Sequence, residues 1–123
     1  MDFRGLGNVT TRAEIIAEAR TWIGTPWHHQ ATLKSVGCDC GGLIRGVMIA
    51  LQLAPERLES WIDADEYLGY SGNPDGVSLR EACEKYLVPI PKNAMQCGDA
   101  ILVATDKYPQ HLGILVDLSL IHI

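Results

Sequence analysis

Gly37-Cys38-Asp39-Cys40-Gly41-Gly42-Leu43-Ile44-Arg45-Gly46-Val47 decides how the rest of this chain is read. It describes a tight turn that delivers a cysteine to the first turn of a helix. From Leu43 to Leu53 only Arg45 and Gln52 are strongly polar. A helix that is apolar nearly all round belongs inside a core rather than on a surface. Gly41 and Gly42 at its mouth each cost about 1 kcal/mol against alanine within a helix. Two breaches of local propensity beside a cysteine mark a place where room is kept at the sulfur. A helix N-terminus carries roughly half a positive charge, which favours thiolate over thiol. Cys40 is therefore read as a nucleophile.

Upstream of this helix, residues 1–9 read as a loose arm. Thr11-Arg12-Ala13-Glu14 is a capping box, and Ile15, Ile16, Ala19, Trp22 and Ile23 follow the apolar spacing of the helix it opens. Gly24 stops that helix, Thr25-Pro26 prevents its resumption, and Trp27-His28-His29-Gln30 begins a polar loop toward Cys40. Downstream, residues 55–76 mix Asp63, Asp65, Glu66 and Asp75 with Trp61, Tyr67 and Tyr70. Either a solvated loop or the wall of a substrate groove has that composition. Ser78-Leu79-Arg80-Glu81 is a second capping box for a short helix through Ala82, Cys83 and Leu87, closed by Pro89 and Pro91. Strands are expected at 100–104, 111–116 and 118–123, with turns at 106–109 and at Asp117. Helices first and strands afterwards predict one α+β domain over 1–123. Its N-terminal helices pack on an antiparallel sheet formed by the C-terminal half.

Composition narrows the function. A net charge of −5 and a pI near 5.2 argue against a nucleic-acid partner. No window has the roughly eighteen unbroken apolar residues of a membrane span. Met1-Asp2-Phe3-Arg4-Gly5 lacks the basic start and apolar core of a secretory signal, so cytoplasmic synthesis is expected. Four cysteines in such a chain read as free thiols or ligands rather than a disulfide framework. A zinc site could draw on Cys38, Cys40, Cys83 and Cys97 with His28 and His29. Structural zinc prefers two close cysteine pairs, and here there is only Cys38-Asp39-Cys40. No metal and no cofactor are expected. Cys38 reads as a small core or turn residue and Cys83 as a buried helix residue.

A thiol nucleophile needs a base within hydrogen-bond reach and a third group to orient that base. His111 opens a predicted strand, and His122 lies on the next one. A hairpin between them brings the two together, with His111 as base and His122 as orienter. The alternative for each is a satisfied surface histidine. His28 and His29 read either as solvated loop imidazoles or as residues of the substrate entrance.

Gly24-Thr25-Pro26-Trp27, Asp39-Cys40-Gly41-Gly42-Leu43-Ile44, Gly98-Asp99-Ala100-Ile101-Leu102, His111-Leu112-Gly113-Ile114 and Ile121-His122 occur in this order. As an ordered set they resemble the NlpC-type papain-like cell-wall cysteine peptidases. With Gln30 and Gly37-Cys38-Asp39-Cys40, they are most similar to the phage and gene-transfer-agent branch. The resemblance implies a papain-like fold and cleavage of peptidoglycan stem peptides, commonly between D-glutamate and diaminopimelate. It implies Cys40 as nucleophile, His111 as base and His122 as the orienting residue. Trp27, His28, Asp39, Gly41 and Gly42 are then expected to line the oxyanion hole and the substrate site. Trp27 stands where the family usually has a tyrosine, Gly41 where a serine is common, and Cys97 where proline is usual. Relatives continue past the Ile-His pair through at least one more strand. An incomplete sheet is expected here, with an open edge suited to homo-oligomers. Association with phage tail proteins or a phage-like particle follows from the same resemblance. The rival expectations are a catalytically impaired or structural module of this fold, and the zinc-binding domain.

Overall fold

The computed structural model describes residues 10–28, 31–53, 80–81, 83–84, 87–105, 108–117 and 119–121. The arm at 1–9, His29, Gln30, the acidic and aromatic segment 55–76, the Ser78 cap, the turn residues 106–107 and His122 lie outside them.

The first helix, α1, spans Arg12–Arg20. Its Thr11 cap hydroxyl accepts the Glu14 N–H at 3.1 Å and donates to the Glu14 carboxylate at 3.2 Å. Beyond Arg20 the coil tightens, with the N–H groups of Trp22 and Ile23 bonding back three residues, and Gly24 ends it at φ +93°. This tightening corrects one expectation. Trp22 stays buried, but Ile23 is turned out of the apolar stripe and is 62% exposed.

The stretch 31–38, read as loop, contains a small antiparallel hairpin: β1, Thr32–Leu33, and β2, Gly37–Cys38. Strands of two residues leave no alternation to detect. The second helix, α2, spans Cys40–Ala50 and is buried at Cys40 to Ile44 and again at Gly46 to Met48. At Gly46 an added Cβ would land inside the Trp22 indole, so the absence of a side chain lets α1 and α2 approach. The helix closes with Gln52 at φ +55°, its N–H on the Ile49 carbonyl, while buried Leu53 donates to the Met48 carbonyl at 2.9 Å. Arg80, Glu81, Cys83 and Glu84 are helical, and Arg80 pairs with Glu84 at 2.9 Å one turn on.

The C-terminal half forms an antiparallel sheet in the order β3 (Ala100–Thr105), β4 (Tyr108–Val116), β5 (Ser119–Ile121). β4 begins earlier than expected, since Tyr108 and Pro109 pair with Thr105 and Ala104 instead of turning. Leu112, Ile114 and Val116 are buried on one face with Leu43, Ile44, Val47 and Met48 of α2, in a core that includes Ile15, Ala19 and Trp22. The class is therefore α+β, with two helices and antiparallel sheets. Among the described residues no helix is long and apolar enough to cross a membrane.

Gly98-Asp99 fastens the helical half to the sheet. The Arg12 guanidinium donates to the fully buried Asp99 carboxylate at 2.7 Å and to the Cys97 carbonyl at 3.0 Å. The other Asp99 oxygen accepts the Gln96 N–H at 2.8 Å. The Asp99 carbonyl takes the Leu115 N–H at 2.9 Å, and Gly98 donates to the Leu115 carbonyl at 2.7 Å.

Candidate active site

Cys40 is the first residue of α2, and the residues before it hold it there. Cys38 donates its N–H to the Pro26 carbonyl and accepts from His28, both at 3.0 Å. Asp39 donates its N–H to the Ala31 carbonyl at 3.2 Å. Its carboxylate, 2% exposed, accepts the Gly42 N–H at 2.7 Å as the helix N-cap. Gly42 is glycine because an added Cβ would land on the Ala31 carbonyl oxygen. The strand segment at 31–32 thus lies directly on the mouth of the helix.

The backbone N–H groups of Leu112, Gly41 and Cys40 itself favour the charged form of the Cys40 sulfur. The Leu112 contact is the informative one. Leu115 exchanges its backbone groups with Gly98 and Asp99 on the β3 side. Alternation along β4 therefore turns the Leu112 N–H toward β5. Described β4–β5 pairing reaches Ile114 opposite Ile121, and the donor that favours the charged sulfur lies beyond it. Leu112 follows His111 through one peptide bond, so His111 belongs to the same stretch of β4 that packs against α2. Half-buried His111 pairs with Val103 on the other side.

These donors do not make Cys40 a resting thiolate. Burial pushes its thiol up from the ordinary value; the Leu112 N–H pulls down, the Asp39 charge pushes up, and the Gly41 and Cys40 N–H groups pull down. Burial works against the thiolate that the helix N-terminus favours. Desolvation is the largest of these effects on the thiol.

Trp27 and His28 stand at the rim. Trp27 bridges Cys38 in a parallel pairing and is 62% exposed, and His28 is exposed beside it. Gly41 and Gly42 are both buried. Gly42, expected at the oxyanion hole or substrate site, has its N–H engaged by Asp39. Asp39 was read toward substrate, and here one of its oxygens caps the helix. Asp at the start of a helix is a normal N-cap signal, and that signal was available in the sequence.

All four cysteines are free. Among the described residues no group of three or more His, Cys, Asp or Glu side chains is placed to hold a metal ion, so the zinc reading gains no support. Burial raises the Cys83 thiol to about 12, with the Cys40 and Glu84 charges adding to it, and burial with the Asp39 and Cys40 charges raises Cys38 to about 11. A thiol whose pKa is higher folded than unfolded stabilises the fold fully below the unfolded value. That stability is lost as pH rises through the folded value. Stability should therefore fall between pH 9.0 and about 12 through Cys83, by about 1.4 kcal/mol per pH unit, with a smaller contribution from Cys38 that ends near pH 11. Denaturant melts across this range check it, with Cys83→Ala expected to flatten the decline.

Compared with known proteins, the chain matches no family model, no curated protein and no solved structure.

Proposed function

We propose that this chain is a cysteine peptidase in which Cys40 attacks an amide carbonyl and His111 moves the proton. One observation carries the reading. The backbone N–H of Leu112, the residue after His111, favours the charged form of a cysteine on the first turn of a buried helix that packs on β4. In the reaction His111 takes the Cys40 proton, and the sulfur adds to the carbonyl carbon. The amine leaves with the proton from His111, giving a thioester, which a water activated by His111 then hydrolyses. The Cys40 backbone N–H is the oxyanion donor this reading assigns. His122 is assigned to orient the His111 ring.

The substrate class rests on the ordered resemblance to NlpC-type peptidases: peptidoglycan stem peptides, with a D-glutamyl–diaminopimelate bond as the one cut. Delivery by a phage or phage-derived particle belongs to the same reading. Digestion of purified muropeptides tests it. The wild-type chain is expected to release new amine ends, and Cys40→Ala to lower the rate by at least about a thousandfold. Wild type without new ends, or Cys40→Ala cutting as fast, would refute the peptidase.

A further inference from the structure

Alternation along β4 sets a problem for His111. Leu112, Ile114 and Val116 are the residues buried against α2, so a regular strand turns the neighbouring position 111 to the face away from the helix that carries Cys40. The strand is regular from His111 onward and irregular immediately before it. His111 pairs with Val103, but Ala104 pairs with Pro109, so β4 holds one residue more than β3 at this point. Gln110 is the surplus. An extra residue on one strand bends it, increases its local twist and re-aims the adjacent side chains, and such bulges gather beside active sites.

Resting on the peptidase reading, we infer that the extra residue at Gln110 is a positioning residue: through the backbone, it swings His111 from the outer face of the sheet toward the Cys40 sulfur. The role belongs to the length of β4 and not to the Gln110 side chain. Three features share one site: the surplus residue immediately precedes His111, His111 immediately precedes Leu112, and the Leu112 N–H favours the charged form of the sulfur. Without the bulge the sulfur keeps its backbone donors but loses its base.

The test is the pH profile of Cys40 alkylation by iodoacetamide, read by mass spectrometry in the full chain. A cysteine coupled to an imidazole keeps a reactive limb near pH 6, where an uncoupled thiol is almost wholly protonated, at roughly one part in three hundred thiolate. Wild type is expected to show that limb, and Gln110→Ala to keep it. Deleting Gln110 should lower the rate near pH 6 by about a hundredfold, the scale of a misplaced catalytic group, with the melting temperature and the slow labelling of Cys38 and Cys83 preserved. Inserting one residue between Val103 and Ala104 restores equal pairing without touching β4 and should have the same effect. If the limb survives both changes, or if both chains fail to fold, the positioning role is overturned. If wild type itself lacks the limb, it is the Cys40–His111 reading that falls, and the inference with it.

Discussion

Arg12→Ala is expected to destabilise the protein by about 3 kcal/mol and to lower its melting temperature by about 10 °C. The Asp99 carboxylate is fully buried, and the Arg12 guanidinium is its charged partner at 2.7 Å. Among the described residues, removing that partner leaves the carboxylate with the Gln96 N–H and no cation in an ion pair with it. The cost is mainly that of an uncompensated buried charge, which exceeds the net value of the pair itself. The paired replacement Arg12→Met with Asp99→Leu should therefore recover most of the loss. Chemical denaturation of the three variants checks this, and an Arg12→Ala chain within 1 kcal/mol of wild type would show that Asp99 does not depend on its partner. The same pair ties α1 to the edge of the sheet, so its loss should also slacken the packing of α2 on β4.

Gly42→Ala is the second large effect. The added methyl would land on the Ala31 carbonyl oxygen, 2.9 Å from the Thr32 hydroxyl and 3.0 Å from the Asp39 carboxylate. None of the first and last of these can move without cost: one is backbone, and the other is holding the Gly42 N–H. Overpacking of this kind costs about 2–3 kcal/mol, and the loss of the Asp39 cap adds about 1. Cys40 sits between the displaced groups, so its reactivity should fall together with stability. Parallel unfolding curves and Cys40 alkylation rates measure both. A Gly42→Ala chain that labels like wild type would mean that 31–32 does not clamp the helix mouth.

The sequence made the buried helix legible because an unbroken apolar run can only be a core element, and the cysteine at its start followed from the Asp39–Gly42 turn. The strands expected at 100–104 and 111–116 were legible from their own apolar runs. What escaped reading is what depends on distant partners or on very short elements. The β1–β2 hairpin has two residues per strand, too few for a period. Nothing near Asp99 shows that its cation is Arg12, 87 residues away. The bulge before His111 carries no glycine signal, and Ile23 fits the helical stripe until the last turn tightens. At the site, the Leu112 N–H that favours the charged form of the Cys40 sulfur follows His111 in β4, and Gly42 is tightly packed with its N–H on the Asp39 carboxylate.

The central claim is that the sulfur of Cys40 and the ring of His111 titrate as one unit. Following the His111 ring protons by NMR through a pH titration, before and after Cys40 is blocked as a methyl disulfide in a Cys97→Ser background, tests it directly. Blocking removes the negative partner of the imidazolium, so the midpoint of His111 is expected to drop by about one unit or more. A His111 titration that is the same with Cys40 free and blocked would contradict the account.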